Sequence, residues 1–366
     1  MDHFNEMDMT LLKRLSEADG IGGMEREVSR IVTSYGEKYS DEIQYDHLGS
    51  VILERSGEQK GPKIMLSSHM DEVGFMVRSI TEEGYVNLLP VGGWWGHVMP
   101  AQEMTITTSK GKKIIGVVGS RAPHGLPEEI KEKVMKPLDL YLDLGCPSKK
   151  VVEDLGVQIG DMITPNVQFR EMNDTDYLMG KAWDDRCCVG VGLEVLKQLS
   201  RGTHESTVYF AATTQEEVGI RGARTAVHTI KPDVAIALDV TTATDTPFDR
   251  AGMNLGEGVV LSILDSLTIG NSGLVEMMEE IVKDLNLDVR YDFMTVGGTD
   301  ACNIHKMLDG VISMTISIPT RYMHSPRLMI HKKDYIQTIQ LVTEFCRRLD
   351  WMKVDQLKAA VGIIQE

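Results

Sequence analysis

No apolar run in this chain approaches the roughly 20 residues that cross a bilayer, so nothing in it asks for a membrane. Positive charge is scarce. The 38 Lys and Arg stand against 54 Asp and Glu, a formal net charge of −16. Nucleic-acid binding depends on clustered cations at phosphates, so this balance argues against that class of partner. The same surplus keeps a protein soluble and attracts cationic groups such as the α-ammonium of a peptide. Cysteine is sparse and unpatterned: Cys146, Cys187, Cys188, Cys302 and Cys346 are odd in number, with no CxxC spacing. They suggest neither a disulfide framework nor a cysteine-based zinc knuckle. Internal repeats and low-complexity segments are also absent. The opening Met1-Asp2-His3-Phe4-Asn5-Glu6 lacks the basic-then-apolar order of a secretion signal, so the expected location is the cytoplasm.

What is present is the balance of a globular protein, 42% apolar and 25% charged over 366 residues, enough for one large domain or two ordinary ones. Helical patterns at Leu11 to Leu15 and Met24 to Tyr39 flank the turn Gly20 to Gly23. Strands follow at Val51 to Glu54 and Lys63 to Ser68, with the polar turn Gly57 to Gly61 between them. From about Phe75 to Thr164 short β-like runs alternate with Gly, Pro and charged turns, as in a small barrel or sandwich. Within it, Gly92-Gly93-Trp94-Trp95-Gly96 reads either as an exposed interface patch or as buried barrel core. After Lys181 strand and helix alternate again. Helices are expected over Cys187 to Leu199, Gly222 to Ile230, Ser272 to Leu285 (with Ser272 as cap) and Lys333 to Leu349. Strands are expected over Thr207 to Ala212, Val234 to Leu238, Val259 to Ile263 and Val311 to Ile318. The fold class is therefore α/β, built from residues 1–73 and 165–366, with an inserted small β-barrel or sandwich over 74–164.

Five places join an apolar strand to a His or an acid: His69-Met70-Asp71, Trp183-Asp184-Asp185-Arg186, Glu216-Glu217, Asp239 and His324. In a doubly wound sheet the carboxyl ends of strands converge on one edge, where ligands bind. Each piece alone has a plain reading. Adjacent glutamates are usually solvated surface acids, a His at a strand end is usually a hydrogen-bonded structural residue, and Asp184 or Asp185 could cap the following helix. Together they form the mixed N/O set preferred by zinc, cobalt or manganese. The count suggests two ions about 3.5–4 Å apart, sharing a water. His69 and Asp239 would hold one, Glu217 and His324 the other, and Asp184 would bridge. Asp71 fits a role orienting the His69 imidazole.

The strings Ser68-His69-Met70-Asp71-Glu72-Val73-Gly74-Phe75-Met76-Val77, Gly180-Lys181-Ala182-Trp183-Asp184-Asp185-Arg186 and Gln215-Glu216-Glu217-Val218-Gly219 resemble metallopeptidase family forty-two. These are the glutamyl, TET-type and deblocking aminopeptidases. Ala237-Leu238-Asp239, Gly297-Gly298-Thr299-Asp300-Ala301 and Arg321-Tyr322-Met323-His324-Ser325 extend the resemblance to nearly the whole chain. It implies a three-layer α/β/α catalytic domain with two divalent ions per subunit, zinc first, with cobalt or manganese as alternatives. By position the family's ligands fall on His69, Asp184, Glu217, Asp239 and His324, its general base on Glu216, and Asp71 matches the acid beside the first His. The implied activity is metal-dependent removal of amino-terminal residues from short peptides. A water bridging the two ions would give its proton to Glu216 and attack the carbonyl, and Glu216 would pass the proton to the leaving amine. The resemblance also implies self-association through the β insertion, as dimers or as a tetrahedral dodecameric cage.

Residue preference, glutamyl or otherwise, stays open. Arg221 and Arg321 could meet an acidic substrate side chain or could be structural ion-pair partners. Gly297-Gly298-Thr299-Asp300 could line the substrate pocket or be a turn capping a helix. Three rival readings remain: an endoglucanase-labelled relative acting on β-glucan through two carboxylates, an N-acyl amino acid amidohydrolase, and an oligomeric scaffold with a dead site.

Overall fold

The computed structural model describes residues 7–58, 60–125, 127–249 and 252–362. The opening Met1 to Glu6 and Gln59, inside the expected polar turn, lie outside the described residues. An eight-stranded sheet runs in the order Glu42–Tyr45, Val51–Arg55, Thr207–Thr213, Lys63–His69, Val234–Thr242, Ile312–Thr320, Val259–Leu264, Val289–Phe293. Its four central strands are mutually parallel, which explains their continuous apolar runs, since parallel strands are buried on both faces. Alternation then sorts the side chains. Ile64, Leu66, Val208, Phe210, Val234 and Ile236 enter one core, while Met65, Tyr209, Ala211 and Ala235 enter the other.

The larger core is covered by helices Met9–Glu17, Arg26–Gly36, Trp183–Leu199, Ser272–Leu285, Lys332–Arg348 and Trp351–Ala360. The smaller is covered by Gly222–Ile230 and the short Ala301–Ile304. This is the expected three-layer α/β/α arrangement. Helix Trp183–Leu199 lies so close to the sheet that a Cβ added at Gly192 would sit 2.1 Å from Phe210 Cε2.

Six antiparallel strands form a closed barrel in the order Gly74–Ile80, Tyr85–Val91, Tyr141–Asp143, Lys113–Gly119, Glu103–Thr107, Met162–Pro165. Closure leaves no free edge. Its own core includes Phe75, Val77, Val86, Leu88, Met104, Ile106 and Leu142. The tryptophan pair divides. Trp94 donates to the Gly74 carbonyl (3.0 Å) and stacks on Phe75, while Trp95 is exposed. Among the described residues no helix is long and apolar enough to cross a membrane.

Several local expectations shift. Asn271, not Ser272, caps its helix, its side chain accepting from Leu274 N–H (3.1 Å). The edge strand Glu42–Tyr45 and the last helix, Trp351–Ala360, carry too little apolar periodicity to read from sequence. The helix expected from Cys187 begins at Trp183, with non-helical backbone at Asp184 and Asp185.

Candidate functional site

The two central strands Lys63–His69 and Thr207–Thr213 end in register, with Thr213 beside His69. That register brings the turn carrying Glu216 and Glu217 over the His69-Met70-Asp71 segment. Gln215 opens the turn in the left-handed region (φ 58°), and the Asp71 carboxylate fixes it by accepting Glu216 N–H (2.9 Å) and Glu217 N–H (3.1 Å). The carboxylate of Asp71 therefore does not bind the imidazole, from which it stands 3.6 Å away. Its carbonyl accepts from His69 Nδ1 instead (2.9 Å). A carbonyl can only accept, so Nδ1 carries a proton and Nε2 faces inward.

Asp184 does not come from a strand end. It sits at the start of helix Trp183–Leu199 with φ −81° and ψ 100°, joined to Asp185 by a cis peptide. The extended backbone turns its carboxylate towards the sheet edge. Oδ1 lies 3.2 Å from His69 Nε2, and Oδ2 lies 3.3 Å from His324 Nε2. Neither aspartate caps the helix. Asp185 Oδ2 accepts from Ser68 Oγ (2.6 Å) and from His69 N–H (3.1 Å). Asp239 lies within strand Val234–Thr242 rather than at its end, buried, with a carboxylate oxygen within 4.8 Å of a His69 ring nitrogen. His324 follows strand Ile312–Thr320 on a loop, at φ 53°, with Nε2 3.5 Å from Glu217 Oε1. Left-handed non-glycine residues thus sit at or beside three of the five elements, the kind of backbone strain that gathers at functional sites. All seven candidate residues come together.

The electrostatics of this cluster are those of charge held out of water. Burial, then repulsion from Asp184, pushes Glu217 up to about 8. Burial also pushes Asp239 up to about 8, with Asp184 and Asp300 adding to it. Glu216 is raised well above the carboxylate range by burial and by Asp239, Glu217 and Asp300, against the pull of His69. Burial works against the His69 imidazolium, but Asp184, Glu216, Asp185 and Asp71 outweigh it and raise the group. Glu217 Oε1 and Asp185 Oδ1 are buried without a hydrogen-bond partner. Packed carboxylates, inward imidazole nitrogens and orphaned oxygens fit divalent cations. Among the described residues three groupings bring ligand atoms within 4.8 Å of one another: His69, Asp185 and Asp239; His69, Asp184 and Glu217; and Asp185, Cys187 and Cys188.

Other residues support the site; Glu25 and Asp19 were not singled out from the sequence, whereas Asp300 was open between a helix cap and a pocket residue, and Lys181 and Arg186 stood within the family string. Glu25 accepts from Gly23 N–H (2.8 Å), Gln215 N–H (3.0 Å) and the Thr214 hydroxyl. Asp300 accepts from Thr213 Oγ1 (2.7 Å) instead of capping its short helix. Lys181 bonds Glu72 (2.6 Å) and Asp19 (2.9 Å), and Arg186 bonds the carbonyls of Leu15, Ala18, Gly20 and Met70. Lys181 and Arg186 flank the Asp184-Asp185 pair, which is the only local signal they carry. Arg321 is locked in a two-bond pair with Asp245, and Arg221 is bonded to Gln215 Oε1 (3.0 Å).

Comparison with known proteins identifies the family. Residues 49–341 match the family model described as M42 glutamyl aminopeptidase. The lysyl aminopeptidase of Pyrococcus furiosus is 33% identical over 356 residues, covering 94% of this chain and 98% of that protein. A TET aminopeptidase structure from a marine sediment archaeon of the Thaumarchaeota superposes with a TM-score of 0.92 at 39% identity, covering 95% of this chain and 98% of that one. The TET1 peptidase of Pyrococcus horikoshii, described as able to assemble into a tetrahedron or a large octahedral shell, gives 0.83 at 28% identity, covering 93% and 99%. The chain belongs to the M42 glutamyl aminopeptidase family and is, with that family, an aminopeptidase.

Proposed function

We propose that this aminopeptidase removes single residues from the free amino ends of short peptides, with Glu216 as general base beside two divalent cations. The observation that carries the reading is the Asp184 carboxylate, which turns one oxygen to His69 and the other to His324. His69 and Asp239 would hold one cation, Glu217 and His324 the other, and Asp184 both. Zinc suits this N/O set best, with cobalt and manganese as alternatives. The bound cations would polarise the scissile carbonyl and make a nearby water more acidic.

The chain's own residues do the rest. Glu216 takes the water's proton as the oxygen attacks the carbonyl carbon. It then delivers that proton to the departing nitrogen as the C–N bond breaks. Asp71 holds Glu216 in place through the two N–H groups of its turn. Asp300, beside Glu216 and with its Oδ1 unpartnered, offers an acceptor for the substrate's α-ammonium.

In this reading residues 1–73 and 165–366 form the catalytic unit. Residues 74–164 provide contacts for self-association, as a dimer or a dodecameric cage. The test is a panel of short peptides with free and acetylated amino ends, offered after chelation and again after adding zinc or cobalt. Single amino-terminal residues should be released from free ends only, and only with metal restored. Cleavage of N-acyl amino acids or β-glucan in place of free-amino peptides would overturn the reading.

A further inference from the structure

A second concavity adjoins the site on its barrel side. It encloses about 450 Å³ between the barrel loop and the loop that carries His324. Trp95 and Val98 form one wall, and Tyr322, Met323 and Pro326 form the other, with His324 at its inner end. The two loops are held together. Arg327 Nη1 donates to Gln102 Oε1, and Gly93 comes so near that a Cβ there would lie 3.1 Å from His324 Nδ1. A side chain at Gly93 would press His324 back by a few tenths of an ångström. Trp94 anchors the loop through the Gly74 carbonyl and the Phe75 ring, while the Trp95 indole, edge-on to the His97 ring (centroids 4.7 Å), stays 59% exposed and lines the hollow with Tyr322, 54% exposed. Neither exposed ring is needed to fill a core.

The charge distribution gives this hollow a direction. Asp300 lies at the His69 end, bonded to Thr213 Oγ1 (2.7 Å) on the residue paired with His69, and its Oδ1 is buried without a partner, a place for an α-ammonium. Asp184 lies between the two histidines, so a scissile carbonyl beside Glu216 falls over the middle. The next Cα lies about 2.4 Å from that carbonyl carbon, across one C–N and one N–Cα bond, on the side of His324 and the mouth of the apolar hollow. We propose that the Trp95–Tyr322 hollow receives the side chain of the substrate's second residue, the one on the leaving-nitrogen side, and selects large apolar or aromatic residues there. The proposal rests on the aminopeptidase reading above. It makes the barrel a part of the substrate site.

The test uses dipeptide amides whose first residue is the one turned over best in the free-amino panel and whose second is Phe, Leu, Gly, Asp or Lys. The uncharged carboxamide keeps Arg327 from acting on a terminal carboxylate. The intact protein should favour Phe over Gly by about tenfold or more in kcat/KM, as expected for an apolar side-chain pocket. Trp95→Ala and Tyr322→Ala should each bring that ratio towards one, while the ranking of first residues stays as it was. Trp95→Phe should keep most of it. A preference for Asp at the second position, or a change confined to the first-residue ranking, would overturn the proposal. So would an intact Phe preference in Trp95→Ala together with a smaller particle by light scattering, because the loop would then be an interface. Absence of cleavage on every amide and every free-amino peptide would instead sink the aminopeptidase reading, and this proposal with it.

Discussion

Replacing Asp19 by Asn should loosen the seam between the barrel and the α/β layers. Asp19 is 4% exposed and accepts four bonds. Lys181 Nζ (2.9 Å) and Thr164 Oγ1 (2.7 Å) reach Oδ1, while Lys113 Nζ (2.8 Å) and Thr107 Oγ1 (3.2 Å) reach Oδ2. Three of these donors stand on barrel strands. An amide keeps one acceptor and turns the other into an NH2 facing two donors. Breaking a buried ion pair costs about 3–5 kcal/mol. Lys181 retains Glu72 (2.6 Å) and the Ala18 carbonyl (2.9 Å), so its charge is not orphaned and the lower end applies. At roughly 2.1 cal/mol/K of unfolding entropy per residue, 366 residues give about 0.77 kcal/mol/K, so ~3 kcal/mol lowers Tm by about 4 °C. Lys113 is 43% exposed; its Met variant should lose no more than about 1 kcal/mol. Burial alone would raise the Asp19 carboxyl, but Lys181, Lys113 and Thr164 hold it well below the usual range. The folded protein thus keeps this proton off at pH values where the unfolded chain takes it up. The stabilisation is complete above about pH 4 and shrinks as the pH falls further. Calorimetry of both variants from neutral pH downwards checks this. A loss in Asp19→Asn no larger than in Lys113→Met, or a gap that stays constant into acid, would refute the reasoning.

Asp71→Asn leaves one of the Glu216 and Glu217 N–H groups facing an amide. Its kcat should fall about 10–100-fold, as is usual for a lost positioning bond near a metal centre; an unchanged kcat would remove Asp71 from the machinery. Gly192→Ala drives a methyl into Phe210 and should cost about 1–3 kcal/mol, most of it recovered in the double variant with Phe210→Leu; chemical denaturation reads both. Arg321→Ala frees Asp245 but should leave the ratio of acidic to neutral first residues unchanged in a peptide panel. A fall in that ratio would return Arg321 to the substrate pocket.

The four central strands were legible because burial on both faces writes an apolar run straight into the sequence, as at Val234 to Leu238. The barrel was legible through its turns. What sequence could not show was geometry made across the fold. Asp184 looked like a strand-end acid, yet it reaches the site from a distorted helix start, because the preceding strand Tyr177–Gly180 belongs to a separate three-stranded sheet. Asp71 looked like the partner of His69, but the sheet register places its carboxylate under the Glu216-Glu217 backbone. Glu25 lies 190 residues from the Gln215 N–H it accepts. No local pattern announces such a contact. Arg321 fails as a specificity candidate for the same reason, since its partner Asp245 is fixed by tertiary structure.

The central claim is that Glu216 moves the proton while its neighbours hold the cations. Glu216→Gln keeps the side chain's size but removes its basicity. The metal content of the purified variant, measured by mass spectrometry after reloading with zinc, should remain two ions per chain. Its turnover of free-amino peptides should fall by about 10²–10⁴-fold, the usual share of a positioned general base. Full turnover with both ions bound would contradict the account.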